Sequence, residues 1–480
     1  MKIELSVAHF PRVSSSRLIR ITLLLTFLIP LCVRSLPEIL SPVPIGFDTA
    51  IYLVQAKQLS SSSSILPFFA RILGVFYSIG VDLLILMKVL PVIIFALTVF
   101  FSCLYAYTRL GWTLEKVVIL CIVMSFSAAL LRISWDLHRQ SAATLLLMIY
   151  MFINPWENLN LKKVIATTVL TVIIGLLHEL VLVTLAVINL YLAIASYRNR
   201  MLRKSLFFLA LSLMPVISYE IGMVFSYSRL ATPSQIFENL LEKWGYGGYF
   251  NIVSHAVGIL IATFWYLLPL APAGFFHDKY LTPWFTLMLA GYLSQIIIPY
   301  AVVKLPERWT LFMTIPLNFY AAKAISSVAP GKRLRIAVIT ITLVIISLNG
   351  FNMLGLTQPI NLPSTQYTGF IPSTMVFSTA KPEHVLTVKH FADLVNNLAD
   401  DYSCVVTHDP WFYYWAVYLT DVRVYAFTGN DPSPSVGRAL EDRCNDVYVI
   451  WFEGQGSDWE ILVRENQLAL YRATSTGHVK

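Results

Sequence analysis

The stretch LILMKVLPVIIFALTVFFSCLYAYT, residues 84–108, contains a single charged residue, Lys88. A helix of about 20 apolar residues spans the hydrocarbon core of a bilayer, so this stretch predicts a transmembrane helix. The rest of the chain agrees, because 57% of its 480 residues are hydrophobic and only 13% are charged. A soluble domain carries roughly 25% charged residues. The composition therefore predicts a polytopic α-helical membrane protein.

About eleven apolar runs are long enough to cross the bilayer. The predicted spans are residues 18–36, 84–108, 114–133, 137–153, 163–177, 180–197, 205–225, 254–273, 280–300, 308–327 and 334–354. The first span follows several basic residues and lacks a small-residue cleavage site, so we expect an uncleaved anchor with a cytoplasmic amino terminus. The apolar run at 65–80 is expected to form a helix that lies on the outer surface.

The distribution of basic residues supports this topology. If the spans alternate in direction, the amino terminus and the even-numbered connections together hold sixteen Lys and Arg residues against four acidic ones. Cytoplasmic loops of membrane proteins carry such an excess. The net charge of +8 is thereby explained and indicates no nucleic-acid partner. An odd number of spans places the carboxy terminus outside the cytoplasm.

The composition changes after the last predicted span. Apolar residues occur at helical spacing in 384–399, and CVVTH, VRVYAF and VYVIWF have the composition of strands. The pattern predicts a transmembrane domain over residues 1–356, with its first outer loop at 37–82. An extracytoplasmic α/β domain follows over residues 357–480.

The five cysteines fall into two groups. Cys32, Cys103 and Cys121 lie in apolar spans and are interpreted as small core residues. Cys404 and Cys444 each precede a predicted strand, and neighbouring strands can bring two such residues together in an oxidising compartment. The sequence leaves open whether they form a disulfide.

Most ionisable residues outside the cytoplasmic connections lie at the predicted outer ends of the spans. The first outer loop contains PIGFDTAIYL with Asp48, and the second contains RISWDLHRQ. The polar residues of the second to fifth outer connections include Arg132, Asp136, His138, Arg139, His178, Glu179, Glu242 and Arg308. A transporter needs ionisable groups near the bilayer midplane, whereas an enzyme acting on a lipid headgroup needs them at the interface. The distribution therefore favours an enzyme that uses a lipid.

These features resemble the GT-C superfamily of integral membrane glycosyltransferases, which includes protein O-mannosyltransferases and aminoarabinose transferases. The resemblance rests on Asp48 with Tyr52 four residues later, the acid and base cluster at 136–139, a His-containing third outer turn, ERW at 307–309 and the outer α/β domain. It implies a polyprenyl (dolichyl-type) phosphate sugar as donor and a hydroxyl acceptor on protein, lipid or glycan. Relatives usually have Asp-Glu in the first loop, whereas Thr49 follows Asp48 here, so a second acid comes from elsewhere or is absent.

The resemblance also suggests roles. Asp48 is expected to be the general base of an inverting transfer. Arg308 best suits the donor phosphate because a guanidinium can bind it through two hydrogen bonds, and Arg139 with His138 is the second choice. The substrate-binding candidates are Tyr52, Asp136, His178, Glu179 and Glu242.

Each candidate also has a purely structural interpretation. Asp48 is a favoured N-cap residue before the helical stretch TAIYLVQAKQL. Arg132 and Asp136 have the i,i+4 spacing of an ion pair, and Arg308 beside Trp309 suits an interfacial side chain. The aromatic stretch PWFYYWAVY of the outer domain suits either sugar stacking or a buried helix face.

The proposed chemistry requires no cofactor, because a lipid phosphate is already a good leaving group. A divalent metal, Mg or Mn, is nevertheless an alternative, with Asp48, Asp136 and His138 as possible ligands. Two other functions stay open at this stage. One is a non-enzymatic lipid-linked glycan flippase or transporter, and the other is an oligosaccharyltransferase or glycan ligase, although the WWDYG motif of oligosaccharyltransferases is absent.

Overall fold

The computed structural model describes residues 16–58, 67–153, 156, 159–214, 248–297, 306–327, 332–354, 382–409, 412–454 and 459–474. The chain forms two compact units. The helical unit comprises Met1–Leu36 and Val89–Thr374, and the sheet unit comprises Pro37–Lys88 and Met375–Lys480. The sequence predicted a domain boundary at residue 356 from the change in composition. In the structure, the first predicted outer loop belongs to the same compact unit as the carboxy-terminal sheet.

Helices account for nearly all of the described chain before residue 354. In order they are α1 (Ser16–Leu40), α2 (Phe47–Gln58), α3 (Phe68–Ser78), α4 (Leu83–Thr108), α5 (Leu114–Ser125), α6 (Ala128–Asp136), α7 (His138–Ile153), α8 (Leu161–Leu177), α9 (Glu179–Arg198), α10 (Leu202–Ser212), α11 (Gly248–Phe264), α12 (Ala271–Gly274), α13 (Leu281–Ile297), α14 (Pro306–Phe312), α15 (Thr314–Ser327) and α16 (Lys332–Met353).

Ten of the eleven predicted spans coincide with one of these helices or with a pair of them, and of the predicted span 205–225 residues 215–225 lie outside the described residues. Among the described residues, four helices are long and apolar enough to cross a membrane, and a fifth is added if α5 and α6 form one bent span. The four are Arg17–Leu40, Leu83–Thr108, Glu179–Arg198 and Ile336–Met353. A membrane protein with several spans is thus confirmed, but the count of eleven is not, because several other helices are short or broken. Helix α3 confirms a helix in the run at 65–80, and its place on a membrane surface stays a prediction.

The predicted span 114–133 is broken at Phe126 and Ser127, where the axis bends by 56° between α5 and α6. A break leaves backbone groups without helical partners, and lipid offers none. The Ala128 N–H donates to the Tyr266 hydroxyl at 3.0 Å. Helix α16 packs closely against the break at Gly350. A Cβ atom at this position would lie 2.6 Å from the Phe126 ring, so only glycine allows this approach.

A second break separates α14 from α15 within the predicted span 308–327. The Phe312 carbonyl at the end of α14 accepts a hydrogen bond from the Trp284 indole N–H at 3.1 Å. The two breaks are linked, because the Ser127 and Thr314 hydroxyls lie 3.0 Å apart and are buried. Buried side chains therefore bond the backbone groups at both breaks, as an apolar surrounding requires.

The sheet unit contains five strands in the order β2-β1-β3-β5-β4. They are β1 (Ser403–His408), β2 (Arg423–Phe427), β3 (Asp446–Phe452), β4 (Glu460–Glu465) and β5 (Leu468–Thr474). Strand β1 pairs in parallel with β2 and β3, and β5 is antiparallel to β3 and β4. The three predicted strands are confirmed. The sequence missed β4 and β5.

Three helices accompany the sheet, namely α17 (Pro382–Leu398), α18 (Tyr413–Leu419) and α19 (Ser433–Glu441). Helix α17 confirms the helix predicted at 384–399, and its apolar residues Val388, Phe391 and Val395 are fully buried. The first loop of the sheet unit adds α2 and α3, which pack against each other, and α2 also packs against α18. The predicted α/β composition of this part of the chain is confirmed.

Cys404 and Cys444 form a disulfide, which resolves the question that the sequence left open. Their Cα atoms are 5.9 Å apart, within the usual range for bonded cysteines. The bond joins Cys404 at the start of β1 to Cys444, which lies just before β3. It therefore cross-links the ends of two neighbouring strands.

We expect the Cys404→Ser, Cys444→Ser variant to lose stability in its sheet unit. The bond closes a separation of 40 residues, and a cross-link of that size restricts the unfolded chain by roughly 4 kcal/mol. Urea-dependent proteolysis of the detergent-purified protein measures the change. Cys103 and Cys121 are buried as predicted, whereas Cys32 is an exposed free thiol and not the core residue that the sequence indicated. Cys32→Ser is therefore the control and should leave the cleavage midpoint unchanged. Equal midpoints for the disulfide variant and wild type would contradict a stabilising role.

Candidate functional site

Helix α6, which follows the bend at residue 127, carries the first charged pair of the helical unit. The Arg132 guanidinium forms an ion pair with the Asp136 carboxylate one turn later, as their spacing predicted. Asp136 is buried, and the guanidinium also lies 5.3 Å from the centre of the Trp135 ring. The pairing is therefore present in the structure, and a substrate-binding role for Asp136 stays a prediction.

Arg34 is a site residue that the sequence analysis missed. Its side chain is fully buried, and its Nε donates to the Ser134 hydroxyl on α6 at 3.0 Å. Arg34 also acts electrostatically on His138, which is buried at the start of α7. The available signal was an arginine inside the predicted span 18–36, because charged residues within spans are rare and usually functional.

The predicted tight third turn consists of His178 alone, between the last residue of α8 and the first residue of α9. Arg139 on α7 reaches this turn. Its Nε donates to the Leu177 carbonyl at 2.9 Å, and its Nη2 lies 3.7 Å from the Glu179 carboxylate. Arg139 therefore binds a free carbonyl at the end of α8 and an acid at the start of α9, which fixes it beside the turn.

Arg308 belongs to the same cluster. It is half-buried on α14, a helix that packs against α6, and it interacts electrostatically with both His178 and Glu179. The neighbouring Trp309 ring packs over Gly291 on α13, where a Cβ would overlap it. Arg308 is therefore not an isolated side chain, because its charge acts on the third turn.

These residues form one arginine cluster in the helical unit. Its members are Arg34, Arg132, Arg139 and Arg308 with Asp136, Glu179, His138 and His178. Four guanidinium groups against two carboxylates leave two excess positive charges when both histidines are neutral. The structure thus brings together six predicted site residues of the second, third and fifth outer connections, and adds Arg34. Such an excess suits an anionic ligand.

Several polar atoms in the same segments are buried without a hydrogen-bond partner in the described part of the chain. They are the Trp135 Nε1, both amide atoms of Gln140, the His178 Nδ1 and the Thr310 Oγ1. An unsatisfied buried polar group costs about 1–3 kcal/mol. These atoms therefore leave hydrogen-bonding capacity beside the charged side chains.

The first predicted outer loop belongs to the sheet unit. Asp48 lies in the first turn of α2, which begins at Phe47, so its predicted N-cap position is wrong. The helix begins two residues earlier than an N-cap at Asp48 would require, directly after Gly46, which has a φ of 106°, and the Thr49 hydroxyl donates a hydrogen bond to the Ile45 carbonyl at 2.8 Å. Asp48 is half-buried near the helix start.

Of the two remaining candidates, the structure describes Tyr52 but not Glu242. Tyr52 is buried, with its ring edge-on to Phe69 of α3 at a centroid distance of 5.2 Å. This contact gives Tyr52 a packing role, and its role with substrate stays a prediction. Glu242 lies outside the described residues.

The possible metal site also stays a prediction. In the described ranges, no three His, Cys, Asp or Glu residues lie together in a way that could hold a metal ion. Of the three proposed ligands, Asp136 is paired with Arg132, and His138 lies in the positive field of Arg34. Each of these two residues already lies near an arginine, which disfavours the binding of a metal cation. Asp48 belongs to the other compact unit.

Comparisons with known proteins identify the fold. No family model and no curated protein matches the chain. The structure is similar to the crystal structure of ArnT from Cupriavidus metallidurans bound to undecaprenyl phosphate, with a TM-score of 0.54 and 9% identity over 96% of this chain and 99% of that chain. It is similar to the apo state of the same protein, with a TM-score of 0.54 and 10% identity over 95% and 98% of the two chains. Because the match covers both chains almost completely, this protein shares the fold of ArnT, in agreement with the GT-C resemblance of its sequence.

Proposed function

We propose that this protein is an inverting glycosyltransferase that moves a sugar from a polyprenyl-phosphate donor to a hydroxyl acceptor. The observation that carries the proposal is the arginine cluster with its unpartnered buried polar atoms. The fold supports the same function, because a protein with this fold has been crystallised with undecaprenyl phosphate. A lipid phosphate supplies the negative charge that the cluster lacks.

The arginine cluster is proposed to bind the donor phosphate. Arg308 and Arg139, together with His138, provide charged or polar donors, and guanidinium groups bind phosphate oxygens through two parallel hydrogen bonds. Negative charge grows on the phosphate as the glycosidic bond breaks. Fixed cations at that position stabilise the transition state more than the ground state. The cluster is therefore proposed to bind the donor and to assist the departure of the lipid phosphate.

Asp48 is proposed to be the general base. It removes the proton from the acceptor hydroxyl as that oxygen attacks the anomeric carbon. The new carbon–oxygen bond forms on the face opposite the departing phosphate, so the configuration inverts and no covalent enzyme intermediate arises. The lipid phosphate leaves with the electron pair of the old bond, and the proton stays on Asp48 until it exchanges with water.

The reaction is proposed to take place on the extracytoplasmic face. The basic residues of the predicted cytoplasmic connections support this orientation. The disulfide between Cys404 and Cys444 supports it independently, because disulfides persist in oxidising compartments and are rare in the cytosol.

The Asp48→Asn variant is expected to bind donor and to lose turnover. Asparagine keeps the size of the side chain and removes the base, and positioned bases contribute about 10²–10⁴-fold to the rate. Transfer from a labelled polyprenyl-phosphate sugar measures turnover, and binding of the labelled lipid in detergent measures affinity. Asp393→Asn, an exposed acid on α17, is the control and should keep wild-type turnover. Full turnover by Asp48→Asn would exclude Asp48 as the base.

The Arg308→Gln variant is expected to weaken donor binding and to slow transfer together. Loss of one charged hydrogen-bond donor costs about 1.5–3 kcal/mol, which corresponds to roughly a 10- to 150-fold lower kcat/KM for the donor. Arg198→Gln is a matched control because Arg198 is exposed at the far end of α9, about 28 Å along the helix from Glu179. A donor kcat/KM for Arg308→Gln equal to that of Arg198→Gln would overturn the phosphate-binding role.

Removal of divalent metal is expected to leave transfer within about twofold of the untreated rate, because arginines can neutralise the leaving phosphate. Transfer is measured before and after treatment with EDTA, followed by return of Mg²⁺ or Mn²⁺. Loss of transfer with EDTA and recovery with either ion would instead support the metal alternative at Asp48, Asp136 and His138.

A further inference from the structure

The two helix breaks of the helical unit bring the ends of two short helices together. Ser127 directly precedes α6, and Thr314 lies two residues after the end of α14. Their hydroxyl oxygens lie 3.0 Å apart, and both side chains are fully buried. We call Ser127 and Thr314 the hydroxyl pair. Through it the start of α6 contacts the end of α14, and the two helices also pack against each other.

This contact determines where the charged residues of the two helices lie. Helix α6 runs away from Ser127 and reaches Arg132 after five residues. Helix α14 runs toward Thr314 and carries Arg308 six residues before it. At 1.5 Å per residue, Arg132 and Arg308 lie about 8 and 9 Å from the hydroxyl pair along the chain axis. Because the packed helices are antiparallel, both arginines lie on the same side of the hydroxyl pair.

Two further buried polar side chains hold the hydroxyl pair in place. The Tyr266 hydroxyl lies 3.5 Å from the Ser127 hydroxyl and accepts a hydrogen bond from the Ala128 N–H. The Asn318 amide, which is fully buried, donates to the Thr314 hydroxyl at 3.4 Å. A buried hydroxyl that loses its partners is unfavourable. These bonds therefore oppose a shift of α6 along α14, even by one residue, or about 1.5 Å.

Helix α14 is held by α13 as well. The Trp284 indole N–H on α13 donates to the Phe312 carbonyl at 3.1 Å. The Trp309 ring packs over Gly291, also on α13. These contacts position Arg308 relative to α13, and the hydroxyl pair joins α6 to the same group of helices. The placement of Arg308 relative to the side chains of α6 therefore depends on the hydroxyl pair.

Resting on the proposed function, we propose that the hydroxyl pair positions the donor-phosphate site by setting the register of α6 against α14. Its two hydroxyls act through other residues and do not bind the phosphate themselves. On α14 they act through Arg308. On α6 they act through Arg132 and through Ser134, which bonds the Arg34 guanidinium at 3.0 Å. Parallel hydrogen bonds from guanidinium groups to phosphate have strict geometry, so a change of register weakens them.

The test measures binding of radiolabelled undecaprenyl phosphate to the detergent-purified protein. Thr314→Val keeps the shape of the side chain and removes its hydroxyl. It should raise the Kd about tenfold, because a displaced guanidinium loses a charged hydrogen bond to the phosphate. Thr314→Ser keeps the hydroxyl and should stay within about threefold of wild type.

Thr98→Val is the matched control for this experiment. Thr98 is buried on α4, and its hydroxyl donates to the Ile94 carbonyl of the same helix at 2.8 Å. Its loss removes a buried hydroxyl without touching the hydroxyl pair, so the Kd should equal that of wild type. Equal Kd values for Thr314→Val and Thr98→Val would overturn the proposal.

A double-mutant cycle separates positioning from a general loss of stability. In the Arg308→Gln background, Thr314→Val should raise the Kd by less than about threefold, because the phosphate contact that it displaces is already absent. A merely structural role would give the same factor in both backgrounds, and that outcome would overturn the proposal.

Ser127→Ala tests the same contact from the other helix, and it decides the question if Thr314→Val does not fold. The substitution removes the second hydroxyl and keeps the bond between the Ala128 N–H and Tyr266. The Kd is expected to rise about tenfold in the wild-type background and by less than about threefold in the Arg308→Gln background. A Kd equal to that of wild type would contradict the positioning role.

Failure of the broader function gives a different result. If wild type binds undecaprenyl phosphate but neither transfers nor releases sugar from a polyprenyl-phosphate donor, the glycosyltransferase function is overturned, and the Kd values still decide the positioning role. If wild type does not bind the lipid, both are overturned. If wild type transfers sugar while the variants of the hydroxyl pair bind the lipid as Thr98→Val does, only the positioning role fails.

Discussion

The hydrogen bond from the Ala128 N–H to the Tyr266 hydroxyl allows the break on which the candidate site depends. An interrupted helix in an apolar surrounding leaves backbone groups that water cannot reach, and each unsatisfied group costs several kcal/mol. The Tyr266 and Thr314 hydroxyls supply polar partners at this break. Gly350 leaves the space that α16 needs beside Phe126. The chain can therefore change direction by 56° inside a predominantly apolar segment.

The change of direction determines where the charges of α6 lie. Helix α6 begins after the break and carries Ser134, the partner of the Arg34 guanidinium, as well as the Arg132–Asp136 pair. A buried arginine is tolerated only where hydrogen bonds and nearby polar groups offset its desolvation. Arg139 and Arg308 complete the cluster from α7 and α14. Guanidinium groups are in excess here, and unpartnered polar atoms lie beside them. An anionic ligand would therefore stabilise this arrangement.

The sheet unit contributes in a different way. Lys57 holds α2 to α18, so the helix that carries Asp48 is built on the carboxy-terminal domain. A base gains from such a support, because small displacements of a catalytic group reduce the rate strongly. Proton removal by Asp48 is therefore proposed for the sheet unit.

Part of the structure was predictable because the signal is local. Strands β1, β2 and β3 and helix α17 follow from residue pattern, and the His178 turn follows from polar residues between two apolar runs. Strands β4 and β5 were missed. Strand β4 has a glutamate at each end and no buried residue, and its sequence, EILVRE, shows no clear alternation. The disulfide depends on strand order, which local sequence does not specify.

The sequence by itself determined a helical membrane protein with an α/β carboxy-terminal domain and a GT-C resemblance, because long uncharged runs have few structures available in lipid. Only the tertiary structure decided that 114–133 is broken, since the partner of its backbone is a tyrosine 138 residues away. It also showed that Arg34 lies buried beside Ser134, and that Lys57 of α2 contacts Tyr418 and Asp421 at the end of α18. These contacts join residues far apart in the chain, and their energies depend on packing and burial that no local pattern records.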